Sequence, residues 1–202
     1  MAKRFVLVLG GARSGKSDLA QKLALDMGGP VLFVATAEAG DEEMRRRIEV
    51  HQRSRPGDWR TLEAPLHLAD ALERGAADAA VVLIDCVSLW VSNLLQAASP
   101  KGLEEPDQEA AQSLLSEELG TLHDWYRGGT TSVIVVSNEV GMGLVPPYPS
   151  GRAFRDLVGW ANQRLATIAT EAYLVIAGIP IDLKQFAIRP WRQDPADNQP
   201  GT

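Results

Sequence analysis

A doubly wound α/β fold, with a mostly parallel sheet and helices on both of its faces, is the class this sequence predicts. Three observations carry the prediction. Short continuous apolar runs rich in Val, Ile and Leu recur along the chain, and unbroken hydrophobicity marks strands covered on both faces. These runs alternate with longer stretches of helical periodicity, the pattern of repeated β-α-β units. A glycine-rich segment sits directly after the first run, where such folds place their ligands, outside the carboxyl ends of the strands.

In chain order, Phe5–Leu9 (FVLVL) is the first predicted strand. It follows Lys3 and Arg4, but it is shorter than the ~7–15 residues of a signal h-region and ends in glycines, so it reads as a buried strand. Lys16–Met27 is the first helix and Val31–Ala35 the second strand. Asp41–Arg53 is predicted helical, with acids in its first turn and arginines later, in the sense that suits the helix dipole. Trp59–Glu63 offers a further short strand. Helix Leu66–Arg74, strand Val81–Ile84 and helix Val87–Ala98 follow. Ser99–Pro106 is a solvated connector to helix Asp107–Tyr126. Strand Val133–Val136, helix Gly151–Thr170, strand Tyr173–Ala177 and a short strand Ile181–Lys184 complete the series. From Arg189 the chain is polar and proline-rich. The organisation expected is therefore one domain over 1–188 and a flexible tail over 189–202.

Composition narrows the partners. The chain has 202 residues, at the upper edge of the ~100–200 of one ordinary domain. Its net charge of −6 argues against duplex nucleic acid, which wants a basic face. The longest uncharged run, Cys86 to Pro100, carries Ser88, Ser92, Asn93 and Gln96 and falls short of the ~20 apolar residues of a membrane span. Cys86 is the only cysteine, so no intrachain disulfide forms, and a reducing cytoplasm is the expected location.

The segment after the first strand reads Gly10-Gly11-Ala12-Arg13-Ser14-Gly15-Lys16-Ser17 and satisfies G-x-x-x-x-G-K-[ST] in full. A strand precedes it and an amphipathic helix follows, as a phosphate-binding loop requires. Glycines let the backbone turn its N–H groups onto phosphate oxygens, and the helix N-terminus adds partial positive charge. Lys16 is expected on the β- and γ-phosphates and Ser17 on Mg2+. The fold is thus of the P-loop NTPase type. Asp85, closing the run Val81–Ile84, is expected as the second magnesium anchor; the alternative is a cap for the next helix. No Asn-Lys-x-Asp guanine-reading loop is present, since the fourth long strand leads into Ser137-Asn138-Glu139-Val140. A small-molecule kinase and a nucleotidyl-transferring enzyme both remain open on these features.

Met44, Ile48 and His51 are spaced i, i+4, i+7 and share one helix face. His51 therefore lies with the apolar stripe, where a buried structural histidine is the ordinary reading. Gln52, Arg53, Ser54 and Arg55 follow it at once, and arginines at a helix end suit a polyphosphate. His67 and His123 show no ligand-type spacing with His51, which argues against zinc.

These residues resemble the bifunctional adenosylcobinamide kinase/adenosylcobinamide-phosphate guanylyltransferase family of cobalamin biosynthesis. The likeness runs from about Phe5 to Lys184. It is carried by GGARSGKS (Gly10–Ser17), Ala35-Thr36-Ala37, DEEMRRRI…H…RP (Asp41–Pro56), the Trp59–Glu63 segment, NEVGMGLVP (Asn138–Pro146) and GRAFRDLVGWANQRLA (Gly151–Ala166). The resemblance implies phosphorylation of adenosylcobinamide by ATP or GTP, then transfer of GMP from GTP to the phosphate through a guanylyl-histidine. His51 matches that histidine. Nucleotide contacts are implied at Gly10–Ser17, at Ala35, Thr36 and Ala37, at Gln52, Arg53, Ser54 and Arg55, and at Glu63 and Asp85. Val50 stands where some relatives carry a second histidine, and Asp85 where others carry Glu. The resemblance further implies Mg2+, and a homo-oligomer, a trimer. For the alcohol proton, Glu139 and Asp85 are both candidate bases. Competing readings are a monofunctional P-loop kinase, with His51 structural, and a nucleotide-dependent binding switch.

Overall fold

The computed structural model describes residues 2–37 and 56–188. The predicted helix Asp41–Arg53 and the tail 189–202 lie outside the described residues. Within them the elements run β1 (Phe5–Gly10), α1 (Lys16–Met27), β2 (Val31–Ala35), β3 (Arg60–Glu63), α2 (Leu68–Gly75), β4 (Val81–Asp85), α3 (Val87–Ala97), α4 (Gln108–Gly128), β5 (Ser132–Asn138), α5 (Pro149–Ile168), β6 (Glu171–Ile176) and β7 (Ile179–Asp182).

The strands form one seven-stranded sheet in the order β3-β2-β4-β5-β1-β6-β7. All neighbours are parallel except β6 and β7. β1 is central, with Gly10 level with Asn138 of β5 on one side and Val175 of β6 on the other. The chain's earliest strand thus pairs with two of its latest.

Strand alternation divides the core in two. Phe5, Leu7 and Leu9 of β1 face a cluster with Val82, Ile84, Val133 and Val135, covered by α2, α3, α4 and α5. Val6 and Val8 face the other way, with Phe33, Leu83, Ile134 and Val136, under Ala20 and Ala24 of α1. Both faces of the inner strands are dry, which explains why the strands read as unbroken apolar runs. Among the described residues no helix is long and apolar enough to cross a membrane.

The last strand differs from expectation. It spans Ile179–Asp182, two residues earlier than Ile181–Lys184, and runs antiparallel to β6. The reason is a two-residue hairpin. Ala177 and Gly178 both have positive φ, 53° and 80°, as the tight turns that match strand twist require. Ala177, expected inside the strand, is the turn.

The amino ends of the strands are tied by charge. Arg4 Nε and Nη2 each donate to Glu171 at 2.6 Å. The Tyr173 hydroxyl donates to the same carboxylate at 2.9 Å. Lys3 Nζ donates to the carbonyls of Tyr126 (2.6 Å) and Gly129 (2.8 Å), capping the carboxyl end of α4. Glu118, buried on α4, accepts from the N–H groups of His67 and Leu68 and caps α2 from outside its own helix.

Candidate nucleotide site

At the opposite, carboxyl ends of the strands the chain curls after Gly10. A Cβ on Gly10 would meet Ser14 Oγ and come within 2.8 Å of the Val175 carbonyl, so no side chain fits there. Arg13 (φ 57°) and Gly15 (φ 91°) take left-handed conformations that close the loop. α1 then starts at Lys16 with Gly15 as N-cap and no side chain capping it. Its first N–H groups are left for an anion. Lys16 Nζ rests on the Gly11 carbonyl at 3.2 Å, folded over the loop it serves. Gly11, Ala12 and Arg13 are exposed, Lys16 and Ser17 half-buried, and Ser14 buried.

Two neighbours brace this loop. The Gly178 N–H, from the β6–β7 turn, donates to the Ser14 carbonyl at 2.8 Å. Gly15 packs against the same residue, since a Cβ on it would lie 3.3 Å from Gly178 Cα. From the other side the Glu139 N–H donates to the Gly10 carbonyl at 3.1 Å. Gly178 had no motif to announce it; the only sequence signal is its place directly after a predicted strand.

Asp85 ends β4, level with Ala35 of β2 and Val136 of β5. It is half-buried, one strand from β5 and two from β1. The Asp85–Cys86 peptide is cis. Burial, and then the neighbouring Asp85 charge, push the Cys86 thiol above its ordinary range, while a hydrogen bond to Ser88 and the charge of Lys16 oppose this. Lys16 and Asp85 therefore both act on the electrostatics at Cys86.

Thr36 is fully buried. Its Oγ1 donates to the Cys86 carbonyl (2.7 Å) and accepts from the Cys86 N–H (2.9 Å). That hydroxyl is committed to joining β2 to β4, and the flanking backbone is largely spent as well: the Thr36 N–H donates to the Asp85 carbonyl (3.4 Å), and the Ala35 and Thr36 carbonyls accept from the Ala64 N–H (2.9 Å) and Asn93 Nδ2 (2.8 Å). Glu63 is exposed at the end of β3, level with Ala35. Four strand spacings separate β3 from β1, about 19 Å at ~4.8 Å each. The candidate residues thus form two groups along the sheet edge. Gly10–Ser17, Asp85 and Glu139 gather over β1, β5 and β4; Ala35, Thr36, Ala37 and Glu63 lie over β2 and β3. His51, Gln52, Arg53, Ser54 and Arg55 lie outside the described residues, in the segment that joins β2 to β3.

After β5 the chain enters a glycine-containing loop. Glu139 Oε1 accepts from the Gly141 N–H at 2.6 Å. Arg152 Nη1 donates to the Pro146 and Pro147 carbonyls, and Gly151 packs so closely under Tyr148 and Pro146 that a Cβ would collide with both. Between these anchors Met142 is 81% and Leu144 96% exposed, with Val145 and Tyr148 also largely exposed. An anchored loop that presents large apolar side chains to water beside a phosphate-binding turn suits a bulky, partly apolar acceptor.

Comparison with known proteins identifies a family for the chain. The family described as cobinamide kinase / cobinamide phosphate guanyltransferase matches residues 6–183. The bifunctional adenosylcobalamin biosynthesis protein CobP of Pseudomonas aeruginosa is 43% identical over 178 residues, 88% of this chain and 96% of that protein. The bifunctional adenosylcobalamin biosynthesis protein CobU of Escherichia coli is 41% identical over 180 residues, covering 89% and 99%. Its counterpart of the same name in Salmonella typhimurium is 40% identical over 182 residues, again 89% and 99%. The chain belongs to the cobinamide kinase/cobinamide phosphate guanyltransferase family.

Proposed function

We propose that this protein catalyses two successive transfers: a phosphoryl group from ATP or GTP to the hydroxyl of adenosylcobinamide, then GMP from GTP to the phosphate so formed. The observation that carries the reading is the phosphate loop itself, left-handed at Arg13 and Gly15 and opening an uncapped helix, in a chain of this family. In the first transfer the substrate alcohol oxygen attacks the γ-phosphorus, the bond to the bridging oxygen breaks, and the nucleoside diphosphate leaves. Lys16 and the loop N–H groups neutralise the charge that shifts to that leaving group. Glu139, one residue past β5 and fixed beside Gly10, is the base that takes the alcohol proton.

In the second transfer the neutral His51 imidazole attacks the α-phosphorus of GTP. A nitrogen–phosphorus bond forms and pyrophosphate leaves. An oxygen of adenosylcobinamide phosphate then attacks that phosphorus and frees the imidazole. Imidazole is competent near neutrality because its ordinary pKa is ~6.5. Arg53 and Arg55 offset the negative charge collected there. Gln52, Ser54, Ala35, Thr36, Ala37 and Glu63 complete the nucleotide contacts on the β2–β3 side.

The donor set at the loop, one hydroxyl and one carboxylate beside nucleotide phosphates, is what Mg2+ prefers. Ser17 and Asp85 would hold it, and when bound it supplies charge neutralisation between phosphates. Met142, Leu144 and Val145 offer the apolar surface for the macrocycle. The protein works in the cytoplasm as a homo-oligomer, a trimer. Incubation with α-labelled GTP and Mg2+, followed by denaturation, tests the core of this reading. Label retained on the protein and chased into product by adenosylcobinamide phosphate is expected. A phosphorylated product with no nucleotidylated one would leave a monofunctional kinase instead.

A further inference from the structure

The buried stripe of α5 is Ala153, Leu157, Val158, Ala161, Asn162 and Leu165. Five of these are apolar, and an amide stands among them at a core position. Asn162 Nδ2 donates to the Asn138 carbonyl at 3.1 Å. Its Oδ1 is buried and finds no hydrogen-bond partner among the described residues. An amide satisfied on one side only is a poor choice for packing, so it calls for a reason other than stability.

The reason lies in what the Asn138–Glu139 peptide does. Its carbonyl receives Asn162. Its N–H, the Glu139 N–H, donates to the Gly10 carbonyl at the root of the phosphate loop. A peptide unit is planar, with N–H and C=O pointing in opposite directions. Fixing the carbonyl therefore fixes the N–H. The same plane also sets where the Glu139 side chain starts. On the flank, Asn138 Nδ2 donates to Ser88 Oγ at 2.8 Å, and Ser88 Oγ lies 3.0 Å from Cys86 Sγ next to Asp85.

We propose that Asn162 is a positioning residue for phosphoryl transfer: by holding the Asn138–Glu139 peptide plane it sets both the Gly10 end of the phosphate loop and the Glu139 carboxylate. It touches neither nucleotide nor acceptor and acts only through that plane. The inference rests on the kinase reading above for its consequence, but not for its geometry.

The test uses Asn162→Leu and Asn162→Ala in the full-length protein, with melting temperature, cobinamide kinase kinetics and amide hydrogen exchange. Leucine removes the half-satisfied amide and keeps its bulk, so the melting temperature is expected to hold or rise. The kinase kcat is expected to fall about 10–100-fold, the scale for a small misplacement of reacting groups, with the KM for cobinamide unchanged. Exchange at the Glu139 amide is expected to quicken while Val135 and Val136 in β5 keep their protection. A folded variant with wild-type kcat overturns the inference. So does a loss of kcat with unaltered exchange at Glu139, which would place the effect elsewhere. If neither variant folds, Asn162 is a packing residue and the inference fails. If the wild-type protein does not phosphorylate cobinamide, the kinase reading falls, and exchange at Glu139 alone then decides the positioning claim.

Discussion

The two ends of the sheet are built on opposite principles. At the amino ends the polar groups are paired. Arg4, Glu171 and Tyr173 form a closed set. Thr170 Oγ1 accepts from the Phe5 N–H and donates to the Phe5 carbonyl. Lys3 also sits 4.2 Å over the Tyr126 ring, which meets Phe5 edge-on. At the carboxyl ends, Ser14 Oγ, Ser137 Oγ, Asn138 Oδ1 and Asn162 Oδ1 are buried without partners among the described residues, and Arg13 takes a left-handed conformation. Unsatisfied polar atoms and unfavourable backbone cost stability, and here they collect around the proposed nucleotide site. One end holds the fold together and the other carries the residues proposed to hold substrate.

If that division is right, changes at the carboxyl ends remove activity and spare stability. The largest effect is expected from Lys16→Ala. It deletes a charge-assisted phosphate contact worth ~1.5–3 kcal/mol or more, so kinase kcat/KM should fall by about 10–100-fold or beyond. The melting temperature should not move, and a melt alongside the assay checks both. A variant that unfolds would place Lys16 among the stabilising groups and break the comparison.

His51→Ala should abolish guanylylation and keep phosphorylation. Product analysis should find adenosylcobinamide phosphate but no adenosyl-GDP-cobinamide. The wild-type adduct should be acid-labile and base-stable, as a nitrogen–phosphorus bond is, and absent from the variant. Equal loss of both activities in a folded variant would make His51 a shaper of one shared nucleotide site.

Asp85→Asn should have a smaller effect, raising the Mg2+ concentration needed for half-maximal kinase rate severalfold while the apoprotein melts as before. A drop in stability with unaltered metal dependence would make Asp85 a helix cap.

Changes at the amino ends should do the reverse. Glu171→Gln removes a partly exposed ion pair and should cost about 1 kcal/mol in denaturant unfolding, with both activities intact. The Arg4 guanidinium, and then the Tyr173 hydroxyl, hold the Glu171 carboxyl below its ordinary 4.5. A depressed folded-state value stabilises the protein above the unfolded pKa and is lost as pH falls through the folded one. The difference between wild type and Glu171→Gln should therefore shrink on acidification below about pH 4.5. The smallest expected effect is on the alkaline side. Burial, and then the bond to Glu171, push the Tyr173 hydroxyl from 10.0 up to about 12. Its stabilisation is whole below pH 10.0 and lost as pH climbs toward about 12. Tyr173→Phe should flatten the alkaline limb of a stability profile over that window.

How much of this was legible in the sequence depended on whether the signal was local. Strands buried on both faces announce themselves as apolar runs, so β1, β2, β4 and β5 lie where the pattern puts them. Each of β1, β4 and β5 ends one or two residues later, at Gly10, Asp85 and Asn138. Polar and glycine residues stay in the ladder there because a parallel neighbour continues alongside. The phosphate loop was legible because its eight residues are contiguous. Thr36 carried a nucleotide-binding expectation, yet its hydroxyl is spent on Cys86, fifty positions away. Glu118 was illegible for the same reason, since a cap from another helix leaves no spacing to read, and Gly178 was marked only by its place directly after a predicted strand. The hairpin at Ala177–Gly178 escaped because alanine, unlike asparagine or aspartate, gives no warning of positive φ.

The bracing of the phosphate loop by Gly178 has a consequence for how the molecule is made. β1 emerges from the ribosome long before its sheet partners Val133 and Glu171, and the turn that supports Ser14 comes later still. Contacts so distant in sequence are slow to form. The first strand must wait, apolar and unpaired, while β2, α2 and β4 gather. The nascent chain therefore completes the proposed phosphate site only once β6 and the turn after it have been made. A chain halted before β6 would hold the complete motif and lack the wall that shapes it.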